Sequence, residues 1–198
     1  MNLAVLLSGS GRTLDNFHQR IEEGRMVGRI QVVIANTTEA LGLEKARDYG
    51  YPAFAASDSE AINAILADYP VELVLLAGFL KLYTPPEHLR RAVLNIHPSL
   101  IPSFCGPGMY GMKVHRAVKA RGVKVSGCTV HFANEIYDDG PIVVQHCVSL
   151  GDDDQPDDIA AKVFAAECRA YPEAVNLVTR RGVASFWPDS ETKNPRGE

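Results

Sequence analysis

Short, continuous apolar runs alternate along this chain with longer stretches in which apolar residues recur every three or four positions. The runs at residues 3–7, 30–35, 73–77 and 93–96 have the length and the β-branched or aliphatic content of strands buried on both faces. Between them, helical spacing covers about 14–23, 40–48, 59–68 and 86–91. Strands that alternate with helices in this way predict parallel strands joined by crossovers. From residue 123 the rhythm changes: "VKVSGCTVHFA" and "PIVVQHCVSL" read as two strands separated by a polar turn at 134–140, an antiparallel excursion. The stretch beginning "GDDDQPDD" then places Ile159, Val163, Ala166 and Ala170 at helical spacing. Its acidic opening and closing "RRG" suit the helix dipole and a glycine stop, and Pro172 is expected to kink or divide it. The fold class predicted is α/β: a Rossmann-like, mixed but mostly parallel sheet with helices on both faces. It should form a single domain over 1–188, followed by a polar tail at 189–198 that lacks apolar periodicity and is expected to fray.

Composition narrows the function classes more than the fold. A chain of 198 residues, 46% hydrophobic and 22% charged, supports one globular domain with a sizeable core. A net charge of -4 and a pI near 5.9 exclude a general electrostatic grip on nucleic acid or an anionic membrane. An anionic ligand must then be small and locally held. Cys105, Cys128, Cys147 and Cys168 form no C-x-x-C pair, which points to reduced thiols and a cytoplasmic location. The N-terminal apolar run is too short for a signal peptide or a membrane span and reads as the first strand.

In a mostly parallel sheet, ligands collect beyond the carboxyl ends of the strands. The first loop of that kind is "SGSGRT", Ser8 to Thr13. Its glycines free backbone N–H groups to surround a phosphate at a helix N-terminus. The dinucleotide fingerprint fails, because Leu14 stands at the third glycine position, Asn36 replaces the acidic residue after the second strand, and no Walker lysine follows. A single phosphate fits better than NAD or ATP; a plain glycine turn is the alternative. The second is "LNIHPS", where Asn95 and His97 stand two apart and leave a strand on the same face, with Pro98 ending the strand at once. Histidine moves a proton near neutral pH, and an amide donates to a developing oxyanion without titrating. The third is "EIYDDGP": Asp138 and Asp139 suit a turn on their own account. If that turn folds back, one carboxylate pairs with His97, keeps it protonated and orients it. His18 and His88 fall in helices, and His131 and His146 in strands as satisfied structural residues. No histidine or cysteine cluster has metal-ligand spacing, so no metal is expected.

With those residues in place, the chain resembles the phosphoribosylglycinamide formyltransferases, or GAR transformylases, of the formyltetrahydrofolate-dependent formyltransferase family. The resemblance runs from "MNLAVLLSGSGRTLDN" through "VLLAGFLKLYTP", "LNIHPSLIPSF" and "YDDGPIVVQ" to "ECRAYPEAV" and rests on the order and spacing of these segments together. It implies that Asn95, His97 and Asp138 are catalytic, that Gly11, Arg12 and Thr13 hold the phosphate of glycinamide ribonucleotide, and that Glu167 meets its ribose. It further implies that Leu76, Gly78, Phe79, Leu80, Lys81 and Leu82, with Asn134, Glu135 and Asp138, flank the pterin of 10-formyltetrahydrofolate, the formyl-donating co-substrate. A monomer or homodimer is expected. The chain also departs from better-known bacterial members of the family. Arg12 and Thr13 stand where those have serine and asparagine, Asp139 replaces a frequent glycine, and Lys113 replaces a histidine after a longer 105–111 segment. Residues 57–64 lack an arginine expected to grip the folate's glutamate tail.

The implied reaction is attack of the ribonucleotide amine on the formyl carbon, in the purine biosynthetic route. Asn95 and His97 would meet the oxyanion, and Asp138 would relay a proton, directly or through water. Two readings compete. A formyltetrahydrofolate hydrolase uses the same site with water as nucleophile, but its resembling members carry an additional N-terminal domain. A non-catalytic phosphate-binding module would not need the trio. A transfer-RNA formyltransferase is less expected, since no RNA-binding segment follows residue 198.

Overall fold

The structure is a computed structural model, and it describes residues 1–188; the tail expected at 189–198 lies outside the described residues. Seven strands form one sheet in the order β3-β2-β1-β4-β5-β6-β7. They are β1 (Asn2–Leu7), β2 (Arg29–Ala35), β3 (Ala53–Ala55), β4 (Leu73–Ala77), β5 (Val93–His97), β6 (Val125–Phe132) and β7 (Ile142–Ser149). The first five run parallel, and β6 and β7 are antiparallel additions. This is the mixed, mostly parallel sheet that the apolar runs predict. Residues 3–7 and 73–77 are buried throughout, as a strand covered on both faces requires.

Five helices accompany the sheet: α1 (Arg12–Glu22), α2 (Leu41–Asp48), α3 (Ser59–Leu66), α4 (Met112–Arg121) and α5 (Pro156–Arg181). Strand β3 and helix α4 escape the periodicity reading. β3 has three residues, and α4 carries a short stripe, Val114, His115 and Val118, behind a run of glycines. Conversely, the helix expected over 86–91 is only a 3-10 turn at Glu87–Leu89, because the prolines at 85 and 86 leave too few residues to propagate a helix.

Pro172 does not divide α5, which runs through it as one element. A proline inside a helix leaves the carbonyl four residues back without its N–H partner. Here that carbonyl, on Cys168, accepts a hydrogen bond from Asn16 Nδ2 at 3.2 Å, so the lost bond is replaced from α1. Gln155 and Asp158 close a reciprocal capping box at the start of α5. Just past its midpoint, Tyr171 is fully buried, with Phe17 edge-on to its ring at 4.9 Å. Its hydroxyl lies 3.1 and 2.8 Å from the carbonyl oxygens of Leu76 and Leu94, tying α5 to both β4 and β5. Because Leu7 pairs with Ala77 and Leu76 with Asn95, the carboxyl ends of β1, β4 and β5 share one edge. The loops after them emerge side by side.

Candidate active site

β5 places Asn95 and His97 two residues apart on a strand, hence on one face. The antiparallel register sets His131 of β6 directly opposite Asn95. The turn after β6 leaves near the start of β5, where the Ala133 N–H donates to the Val93 carbonyl at 2.8 Å, and then folds back. Gly140 makes this reversal possible: a Cβ there would stand 1.8 Å from the Phe132 carbonyl oxygen. Asp138, at φ 58 in the left-handed region, is thereby brought to the two histidines. Its Oδ2 is 3.5 Å from His97 Nδ1 and its Oδ1 is 3.6 Å from His131 Nε2. Asp139 turns away to Asn134. Asn95, His97 and Asp138 are thus gathered as expected, and the carboxylate that folds back is Asp138.

Hydrogen bonding fixes the tautomers. His97 Nε2 is 2.9 Å from the Phe104 carbonyl, an acceptor only, so the Nε2–H donates. His131 Nδ1–H donates to the Phe132 carbonyl at 2.9 Å, which leaves Nε2 to accept from Asn95 Nδ2 at 3.1 Å. One amide N–H of Asn95 is therefore engaged, and the other is available to an incoming oxygen. The turn after β5 is bolted down by Thr129, whose hydroxyl donates to the Ser99 carbonyl at 2.7 Å and accepts from the Ile101 N–H at 3.0 Å.

The electrostatics correct one expectation. His97 is only 3% exposed, and burial lowers its pKa, outweighing the upward pull of Asp138 and of the Phe104 carbonyl, with His131 adding to the fall. Asp138 orients His97 and favours its charged form, but it does not hold the imidazole protonated near neutral pH. For Asp138 itself, burial pushes the carboxyl up. Contact with His131, the Gly106 N–H at 2.8 Å and the charge of His97 more than offset that, leaving it below the usual carboxylate range. Of these the Gly106 N–H is the well-formed bond; at 3.6 Å the His131 contact is electrostatic.

The loop after β1 forms the second cluster. Gly11 caps α1 in the left-handed conformation at φ 74, and a Cβ on it would lie 2.7 Å from the Gly42 Cα, so the loop needs glycine both for its turn and for its approach to α2. Gly11→Val is expected to lower thermal stability by about 1–3 kcal/mol and to raise KM for a phosphorylated substrate while leaving that for the formyl donor near its wild-type value. Melting curves and paired KM measurements check this, and equal changes in both KM values would remove the loop from the phosphate site. Arg12 opens α1, where the helix dipole disfavours a cation. Its guanidinium lies 4.0 Å over the Phe164 ring, with no carboxylate within 4.0 Å among the described residues. One turn along α5 from Phe164, Glu167 is half-buried and its pKa is pushed up to about 7 by burial, with the charge of Arg12 opposing. Arg12 and Glu167 are therefore near one another, with Gly11 and Thr13 flanking Arg12 along the chain.

The loop after β4 divides between core and surface. Leu76 and Phe79 are buried in the core, and Gly78 turns the chain at φ 72. Leu80 and Leu82 are exposed, as are Ile136 and Tyr137 of the later turn, offering apolar surface to a flat ring. Lys81 Nζ donates to the Ser57 carbonyl at 2.8 Å, and the Leu80 N–H donates to Ser8 at 3.2 Å, joining this loop to the first. Glu135 pairs with Arg90 at 2.5 Å. Asn134 caps its own turn by accepting from the Ile136 N–H. His131 is the residue missed by the sequence reading, which takes it as merely structural. Its alternation with Phe132 and its register against Asn95 were the available signals. The carbonyl of Phe104 and the N–H of Gly106 leave no trace in side-chain identity. Among the described residues no group of His, Cys, Asp and Glu is placed to hold a metal ion, and no helix is long and apolar enough to cross a membrane.

The chain is similar to known proteins over most of its length. The profile of the family described as Formyl transferase matches residues 1–175. A chloroplastic phosphoribosylglycinamide formyltransferase of Arabidopsis thaliana is 37% identical over 190 residues, 89% of this chain, which spans 64% of the length of that relative. The phosphoribosylglycinamide formyltransferase of Escherichia coli K12 is 31% identical, with 100% of this chain and 98% of the relative covered. Among solved structures, glycinamide ribonucleotide transformylase 1 of Symbiobacterium toebii superposes with a TM-score of 0.82 at 38% identity, covering 91% of this chain and 88% of that one. A match over most of the described residues, joined to a strand end that gathers an amide, two imidazoles and a carboxylate, places the chain in the formyl transferase family.

Proposed function

We propose that the protein transfers the formyl group of 10-formyltetrahydrofolate to the amine of glycinamide ribonucleotide, giving formylglycinamide ribonucleotide and tetrahydrofolate in purine biosynthesis. The observation that carries this reading is the convergence of Asn95, His97 and Asp138 on one face at the end of β5. Residues 1–188 act as one catalytic domain. The four free cysteines support a reduced, cytoplasmic setting.

The amine attacks the formyl carbon, and negative charge develops on the formyl oxygen. The free N–H of Asn95 donates to that oxygen, and it does so from a rigid strand, without reorganisation at the moment of reaction. His97 is neutral at rest because it is buried. As the attacking amine acquires positive charge, His97 Nδ1 is the available base, and Asp138 stabilises the imidazolium so formed. The same imidazolium then delivers a proton to the departing folate nitrogen. At the other end, the Ser8–Thr13 loop and Arg12 hold the phosphate, Glu167 meets the ribose, and Leu80 and Leu82 with Ile136 and Tyr137 line the pterin site. The test is direct: incubation with both substrates should yield the ribonucleotide gaining one formyl group by mass, and no such product would refute the assignment.

Two variants probe the parts. Asp138→Asn removes the charge that favours protonated His97, so the His97 pKa falls further. The limb on which activity is lost as pH falls, where resting His97 becomes protonated and can no longer take the amine proton, should shift to lower pH; an unmoved profile would return Asp138 to the role of turn former. Arg12→Ala should weaken ribonucleotide binding by about 1–3 kcal/mol, with Phe164→Leu giving part of that loss because the guanidinium loses its aromatic seat. An unchanged ribonucleotide KM in Arg12→Ala would mean that the guanidinium does not reach the phosphate.

A further inference from the structure

Away from β5, an open cavity of about 420 Å³ lies between the end of α1 and the middle of α5, and four arginines line it: Arg20, Arg25, Arg169 and Arg180. The walls are fixed. Asn176 of α5 accepts from the Val27 N–H at 2.7 Å and donates to the Arg25 carbonyl at 2.8 Å. The N–H groups of Arg25 and Met26 both donate to the Arg20 carbonyl, at 2.8 and 2.9 Å. The turn after α1 is thus laced to α5, which fixes the backbone that carries Arg25 beside that helix. On α5, Arg169, Glu173, Asn176 and Arg180 recur at four, seven and eleven residues, which is one stripe of a helix.

The charges in this groove are not balanced from within. Arg20 and Arg25 share one carboxylate, Glu23, at 3.3 and 3.4 Å. Glu173 is engaged by His146 Nε2 at 2.8 Å. Arg169 and Arg180 have no carboxylate within 4.0 Å among the described residues. The helix dipole accounts for Arg20 and Arg180, which stand in last turns, but not for Arg169 in mid-helix or Arg25 beyond α1. In a chain of net charge -4, such a local excess needs its own reason.

We propose that this groove binds a small, multiply charged anion bearing phosphate or carboxylate groups, at a site separate from the Ser8–Thr13 loop. Guanidinium forks match both groups bidentately. The volume suits a small-molecule ligand. Arg169 and Arg180 are about 16 Å apart along the helix axis, so the ligand carries anionic groups at more than one point. Arg20 lies about 12 Å along α1 from Arg12, so one phosphate cannot serve both places.

Calorimetric titration of the full chain with sodium tripolyphosphate, and separately with citrate, tests the assignment. Wild type should bind at least one of the two, and the arm that binds tells phosphate from carboxylate recognition. An Arg25→Ala/Arg169→Ala double variant should bind at least about tenfold more weakly, with its melting temperature and its KM for glycinamide ribonucleotide unchanged. Saturating glycinamide ribonucleotide should not displace the probe. Equal binding by the variant, displacement by the ribonucleotide, or no binding of either probe to wild type at millimolar concentration would each overturn the proposal.

Discussion

His97→Ala lowers turnover by at least about a hundredfold, and Asn95→Ala does so by a similar factor, each with the melting temperature near that of wild type. The two losses have different origins. His97 is the best-suited group in the cluster to take a proton from the amine and return one to the folate nitrogen, since Asp138, with its pKa held low, is a weak base and His131 Nε2 is occupied by Asn95 Nδ2. Its removal leaves water to move the proton, at a cost of about two to four powers of ten. Asn95 contributes a fixed donor to the developing oxyanion, and deleting one such donor costs about 2.7–4 kcal/mol in transition-state stabilisation. Asn95→Ala also frees His131 Nε2, and a His131→Ala control separates that indirect effect from the direct one. Single-turnover measurements with saturating substrates read the chemical step alone. Turnover within a few-fold of wild type in either variant would remove that residue from the reaction.

Much of this arrangement is legible in the sequence because it rests on periodicity. Runs such as Leu73–Ala77 can only be buried strands, and two polar residues at i and i+2 before Pro98 can only share a face at a strand end. What is not legible depends on three-dimensional register. His131 joins the site because β6 pairs antiparallel to β5 and sets it opposite Asn95, a pairing no local pattern states. Glu135 pairs with Arg90, forty-five residues earlier, a contact that no local pattern states. Pro172 is tolerated because Asn16, far away in sequence, supplies the hydrogen bond that the helix loses. The protonation of His97 follows from burial, which a sequence shows only after the fold is known. Where the outcome depends on a residue's neighbours along the chain, the pattern suffices; where it depends on neighbours across the sheet, it does not.

Formyl-folate turnover by the enzyme alone is expected to be slow, and to rise by at least about a hundredfold when glycinamide ribonucleotide is added. The reason lies in how the nucleophile is delivered. The loop after β1 and the loop after β4 emerge from the same edge of the sheet and are joined by the Leu80 N–H to Ser8 bond, while the β6–β7 turn closes over β5 with Asp138. On the function proposed above, a substrate held by its phosphate at Gly11–Thr13 would carry its amine on a tether toward the Asn95–His97 end. Holding a nucleophile in this way can account for about 7–11 kcal/mol of a barrier when the geometry is productive. Water has no such handle, and neutral His97 gives it only general-base help. Free glycinamide should therefore fail to substitute for the ribonucleotide, because it has the amine without the phosphate. Following the folate absorbance change with no amine, with glycinamide and with the ribonucleotide distinguishes the cases. Fast formate release without an amine would make the protein a hydrolase, and silence in all three would leave it a phosphate-binding module.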